Sequence, residues 1–94
     1  MSVGNRIKYI RNLFELSVKD FAGKLSGLKG IKVDRGNLSR YENDLIKPSF
    51  DFFYSMYKTY GINLNWLITG EGSIFVKNKE SRGTIHKKLM DKIS

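Results

Sequence analysis

Two short helical patterns joined by a glycine-bearing connection lie between residues 17 and 43, and they constrain the fold more than any other stretch of the chain. Ser17 is suited to cap a helix. Behind it Val18, Phe21, Ala22 and Leu25 recur at i, i+3, i+4 and i+7, an apolar stripe along one helical face. Asp20 falls in the first turn, where a carboxylate complements the helix dipole. The pattern closes near Ser26-Gly27. After the loop, Asp34 is a second capping residue, and Leu38 and Tyr41 face inward at three-residue spacing. Asn43 or Asp44 ends this helix. A short apolar-faced helix, a connection and a second helix with a polar outer face predict a helical domain.

The remainder of the chain agrees. Ile7, Ile10 and Phe14, with Leu13 beside them, predict an earlier helix. Pro48 fits the first turn of the next helix, or Ser49 caps it. Phe52, Phe53, Met56, Tyr57 and Tyr60 form a dense aromatic helix that stops at Gly61. A fifth helix runs from about Asn63 to Ile68. Ser73–Val76 is an apolar run too short to assign as a strand. The expected fold is all-α: a five-helix domain over residues 1–76, followed by a basic segment over 77–94. Within that segment 77–84 is a polar linker. Ile85, Leu89 and Ile93 predict a short amphipathic helix over 85–94 that needs the domain or a second chain to hold it.

Composition narrows the function. The formal net charge of +8, from 17 basic and 9 acidic residues, favours a polyanionic partner. With no cysteine there is neither a disulfide framework nor a thiolate metal site, which fits a reducing cytoplasm. No apolar run approaches membrane-spanning length, and the N-terminus MSVGNRIK lacks a signal-peptide core, so a soluble cytoplasmic protein without membrane attachment is expected. No nucleophile–base arrangement, phosphate-binding glycine loop or metal-spaced cluster is present; the expectation is a non-enzyme without cofactor or metal. His86 stands alone in the basic tail and reads as solvent-facing. The helical spacing of the aromatics from Phe50 to Tyr60, and Trp66, reads as core rather than as a base-stacking surface.

An α-helix fits the DNA major groove, where base edges present a readable donor and acceptor pattern. With Leu38 and Tyr41 buried, Arg35, Gly36, Asn37, Ser39 and Arg40 are left to face outward. The segments LSVKDFAGKL, VDRGNLSRYEN and KPS, followed by YGINLNWLITGEG, resemble the phage repressor and Cro type of helix-turn-helix, the XRE family. The resemblance covers roughly residues 4–75 and implies a compact five-helix bundle of the lambda-repressor-like DNA-binding type. By position it places Asp34 at the cap of the recognition helix and Arg35, Gly36 and Arg40 where base edges are usually reached. Asn37 lies between them and Ser39 at a frequent base or backbone contact. It implies phosphate contacts for Asn43 and Lys47 after the helix, and for Ser17 and Lys19 at the start of the preceding one. It further implies a structural ion pair between Arg11 and Glu42.

The sequence departs from this pattern twice. Val18 stands where the family usually has a phosphate-gripping glutamine; that contact is lost or passes to Lys19 or to backbone amides, and Val18 equally completes the apolar stripe. The connection before Val33 is about six residues longer than the usual tight turn, which costs little in closure entropy. Its Lys29 and Lys32 either meet the DNA backbone or belong to a solvated basic loop. Gly36 costs ~1 kcal/mol relative to alanine inside a helix. It serves a close approach to DNA or is simply tolerated near the helix start. The expected function is a sequence-specific regulator of transcription, a repressor of phage or prokaryotic type, binding double-stranded operator DNA as a homodimer. The chain is also readable as the DNA-binding part of a longer repressor. The alternative is an antitoxin-like module that sequesters a protein partner and regulates itself through the same motif.

Overall fold

A computed structural model describes residues 1–77; the helix expected over 85–94, His86 and the segment beyond Lys77 lie outside the described residues. Five helices follow in order: α1 Val3–Leu13, α2 Val18–Leu25, α3 Arg35–Glu42, α4 Phe50–Tyr60 and α5 Leu64–Thr69. Each begins at a polar cap whose side-chain oxygen accepts a backbone amide two or three residues on. The caps are Ser2, Ser17, Asp34, Ser49 and Asn63. Each such cap stabilises its helix by ~1 kcal/mol. Ser49 holds the cap of α4, and Pro48 stands just outside it. Asn43 is the C-cap of α3 at a φ of −99°, and it is Asp44 that takes the left-handed conformation at a φ of 58°.

The core gathers one face of every helix. Ile7 and Ile10 of α1, Phe21 and Leu25 of α2, Leu38 of α3, Phe52, Met56 and Tyr60 of α4, and Leu67 of α5 are essentially inaccessible to solvent. Tyr60 sits among aromatic neighbours, with ring centroids 4.6 Å from Phe14 and 5.6 Å from Phe21. Tyr41 meets Phe52 at 4.9 Å, which joins α3 to α4. Val18 packs against this core, as its place in the apolar stripe requires. Among the described residues there is no strand. The run Ser73–Val76 returns along the turn after α4, where Asn63 N–H donates to the Ile74 carbonyl and Val76 N–H to the Gly61 carbonyl, both at 2.8 Å.

Helix α3 packs on α1 and α2, and α5 on α1 and α4. Two residues of α1 set these contacts. A Cβ at Gly4 would lie 2.5 Å from the Tyr41 carbonyl oxygen and 2.6 Å from that of Glu42, so only glycine lets the C-terminal end of α3 press against α1. Arg6 is buried, and its guanidinium donates to the Leu67 carbonyl at 2.8 Å, the Ile68 carbonyl at 2.9 Å and the Met1 carbonyl. It thereby satisfies carbonyls at the end of α5 that have no partner within that helix.

Candidate nucleic-acid interface

The outer face of α3 is built by what its inner face does. Leu38, Tyr41 and Glu42 are buried, which turns Arg35, Asn37, Ser39 and Arg40 to solvent and leaves Gly36 half-buried. Asp34, at the N-cap, accepts Asn37 N–H at 3.0 Å. Its carboxylate therefore serves the helix backbone. Arg40 Nη1 donates to Asn37 Oδ1 at 2.9 Å, so two of the five residues expected to face DNA are already in contact with each other.

The helix is clamped at its C-terminal end. Glu42 is 5 % exposed, and its two carboxylate oxygens accept from Arg11 Nε at 2.8 Å and Arg11 Nη2 at 3.0 Å. Arg11 Nη1 also donates to the Leu16 carbonyl at 2.9 Å, which fixes the corner between α1 and α2. Just beyond, the Asp44 carboxylate accepts from Ser2 Oγ–H and from Gly4 N–H, the latter at 2.9 Å. These two donors hold its pKa below the usual 3.8. Thus α1 grips α3 through an ion pair, a backbone contact at Gly4 and a carboxylate at its own N-terminus.

The long connection is closed at its base by Ser26. Its hydroxyl donates to the Ala22 carbonyl at 2.8 Å and accepts Val33 N–H at 2.7 Å. The two ends of the connection are thereby joined directly in front of α3. Ile31 turns back against the core, while Lys29 and Lys32 remain exposed. Ser26 carries no signature in the sequence beyond its position at the end of α2; only the fold brings Val33 to it.

The remaining expected contacts are exposed but differently engaged. Ser17 Oγ accepts Asp20 N–H at 3.0 Å, and Lys19 stands beside it in solvent. Asn43 Nδ2 donates to the Ser39 carbonyl at 2.8 Å, so part of its hydrogen-bonding capacity belongs to the end of α3. Lys47 is exposed in the loop between α3 and α4. That loop also exposes apolar side chains: Leu45 is 72 % accessible and Phe50, at the start of α4, is 81 % accessible. Leu45 lines a groove of about 580 Å³ together with Val3, Asp44, Ile46, Lys47, Pro48 and Phe53. Among the described residues no group of three or more His, Cys, Asp or Glu side chains is placed to hold a metal ion, and no helix is long and apolar enough to cross a membrane.

No curated protein and no solved structure matches the chain. A family model described as a helix-turn-helix domain matches residues 4–73, an interval that contains α2, the Ser26-closed connection, α3 and the two residues of α1, Gly4 and Arg11, that hold it. On the extent of that match, the chain belongs to the helix-turn-helix domain family.

Proposed function

We propose that this domain is a sequence-specific double-stranded-DNA-binding regulator of transcription, a repressor of the phage repressor and Cro type, acting in the cytoplasm as a homodimer. The observation that carries the reading is the outer face of α3. It exposes Arg35, Asn37, Ser39 and Arg40 around Gly36, while the Asp34 carboxylate at its start is engaged as the helix cap. Such a helix enters the major groove with its N-terminal part against base edges. Lys19, Lys47 and the N-terminal amides of α2 supply backbone contacts, with Ser17 and Asn43 beside them. Lys29 and Lys32, exposed on the connection before α3, add positive charge to the domain. One helix covers only a few base pairs, so two copies on a two-fold symmetric site reach useful specificity.

The decisive experiment is selection of bound sites from random duplex DNA with the full chain. A symmetric consensus is the expected result; an unenriched pool would end the proposal. A second reading is favoured by the exposed Leu45 and Ile46 in the lining of a mostly apolar groove, since such a patch marks a protein contact. In that reading the domain holds a protein partner and regulates itself through α3. A stable complex with a co-encoded protein that survives Arg35→Ala and Arg40→Ala supports it, and loss of that complex in those variants removes it.

A further inference from the structure

One hydrogen bond on the outer face of α3 joins two side chains that both stand in the proposed reading surface. Arg40 Nη1 donates to Asn37 Oδ1 at 2.9 Å across one turn of the helix. The same nitrogen passes 3.4 Å from where a Cβ at Gly36 would stand, an ordinary van der Waals separation, so the guanidinium lies along the helix surface there. Asp34 Oδ2 lies 2.9 Å from that same point and accepts Asn37 N–H at 3.0 Å. Asp34 thus fixes the backbone at Asn37, and Asn37 in turn holds the Arg40 guanidinium over the first turns of α3.

Donors dominate the hydrogen-bonding capacity left on this face. Arg35 and Arg40 have only N–H groups to offer, and Asn37, one Oδ1 lone pair of which is taken by Arg40, keeps its two amide hydrogens. Of the exposed Asp34 carboxylate, Oδ2 is engaged with the backbone. Ser39 both donates and accepts. In the major groove guanine presents two adjacent acceptors, N7 and O6, whereas adenine presents an acceptor and a donor. An asparagine reading adenine accepts from N6 with its carbonyl oxygen, and here Arg40 already holds one of that oxygen's two lone pairs and so sets the orientation of the amide.

We infer that Arg40 reads a guanine and that Asn37 is a positioning residue which holds the Arg40 guanidinium for it, not a reader of a base of its own. The inference rests on the DNA-binding function proposed above and names its preferred target: a half-site with guanine opposite Arg40. The benefit is preorganisation. A free arginine loses much rotamer freedom on binding, and the bond to Asn37 removes part of that loss before DNA arrives.

The test compares the parent chain, Asn37→Ala, Asn37→Asp, Arg40→Ala and the double alanine variant. The probes are the duplex enriched by the parent from a random pool and that duplex changed one base pair at a time. Arg40→Ala abolishes the preference for one guanine, a loss of roughly 5- to 150-fold in discrimination. Asn37→Ala weakens the preference at that same base pair, and the double variant discriminates there no worse than Arg40→Ala alone. Asn37→Asp keeps an acceptor for Arg40 without the amide donors, and so retains the guanine preference. Additive losses at two different base pairs, or an adenine at the position that depends on Asn37, would overturn the inference. An unenriched pool with the parent chain overturns the DNA-binding reading itself, and that result is visible before any variant is compared. Both residues are exposed, and unchanged melting curves show that the variants fold.

Discussion

Replacing Glu42 by alanine tests how α3 is held at the angle its outer face requires. The carboxylate takes two hydrogen bonds from Arg11, and the Glu42 and Arg11 side chains are only 4 % and 13 % exposed. Removing one partner of a buried ion pair costs ~3–5 kcal/mol, because the other charge stays behind without compensation. Arg11 keeps the Leu16 carbonyl and some access to water, which places the expected loss at the lower end, about 3 kcal/mol. At about 4–8 °C per kcal/mol for a domain of this size, the melting midpoint falls by roughly 12–24 °C. Thermal and urea unfolding followed by circular dichroism measure it, with an unchanged urea slope as the control for a two-state loss. The double variant Arg11→Met, Glu42→Leu removes both charges and recovers most of the lost stability. A midpoint drop below about 4 °C in Glu42→Ala, the behaviour of an exposed pair, would refute the reasoning. So would a double variant as unstable as the single one.

Gly4→Ala forces a methyl group into the Tyr41 and Glu42 carbonyls and destabilises the domain by ~1–3 kcal/mol, read by the same unfolding curves; an unchanged midpoint would show that the two helices separate freely. Asp44, whose pKa is lowered by Ser2 and Gly4, stabilises the fold above pH 3.8, and this contribution disappears as the pH falls through the lower folded-state value. Asp44→Asn therefore melts lower near neutrality, and the gap from the parent closes under strong acid; a gap independent of pH contradicts the assignment. Burial pushes the Tyr60 hydroxyl up to about 12 from 10.0, and that hydroxyl has no hydrogen-bond partner among the described residues. Tyr60→Phe stabilises by about 1 kcal/mol at neutral pH. Its advantage grows above pH 10, where the parent loses stability as the unfolded chain ionises; a lower midpoint than the parent's argues against an unpaired hydroxyl. Lys47→Ala weakens binding to all duplexes alike and reduces the salt slope by about one unit, and an unchanged slope removes Lys47 from phosphate contact.

The sequence by itself determined where the helices lie and which faces they bury. Ser17 and Asp34 announce their helices because capping is a local reaction between one side chain and an amide three residues on. The spacing of Phe21, Ala22, Leu25, Leu38 and Tyr41 gives the buried faces because helical periodicity is also local. From those two facts the outward set on α3 follows. The pairing of Arg11 with Glu42 came from resemblance to a family, since no local rule links residues 31 positions apart; the fold places them at 2.8 Å.

Tertiary structure alone decided the contacts that give α3 its place. Nothing near Gly4 in the chain predicts that two carbonyls from the end of α3 will lie against it. Arg6 looks like one more basic residue until α5, some 61 positions away, brings the Leu67 carbonyl to it. Ser26 closes the long connection only because Val33 returns to its hydroxyl. Even the short contact between Arg40 and Asn37 depends on rotamers that helical spacing permits but does not select. Local chemistry writes helix positions and faces into the sequence. The partners of a buried arginine, a crowded glycine or a loop-closing serine are chosen by packing between distant segments, which the order of residues does not display.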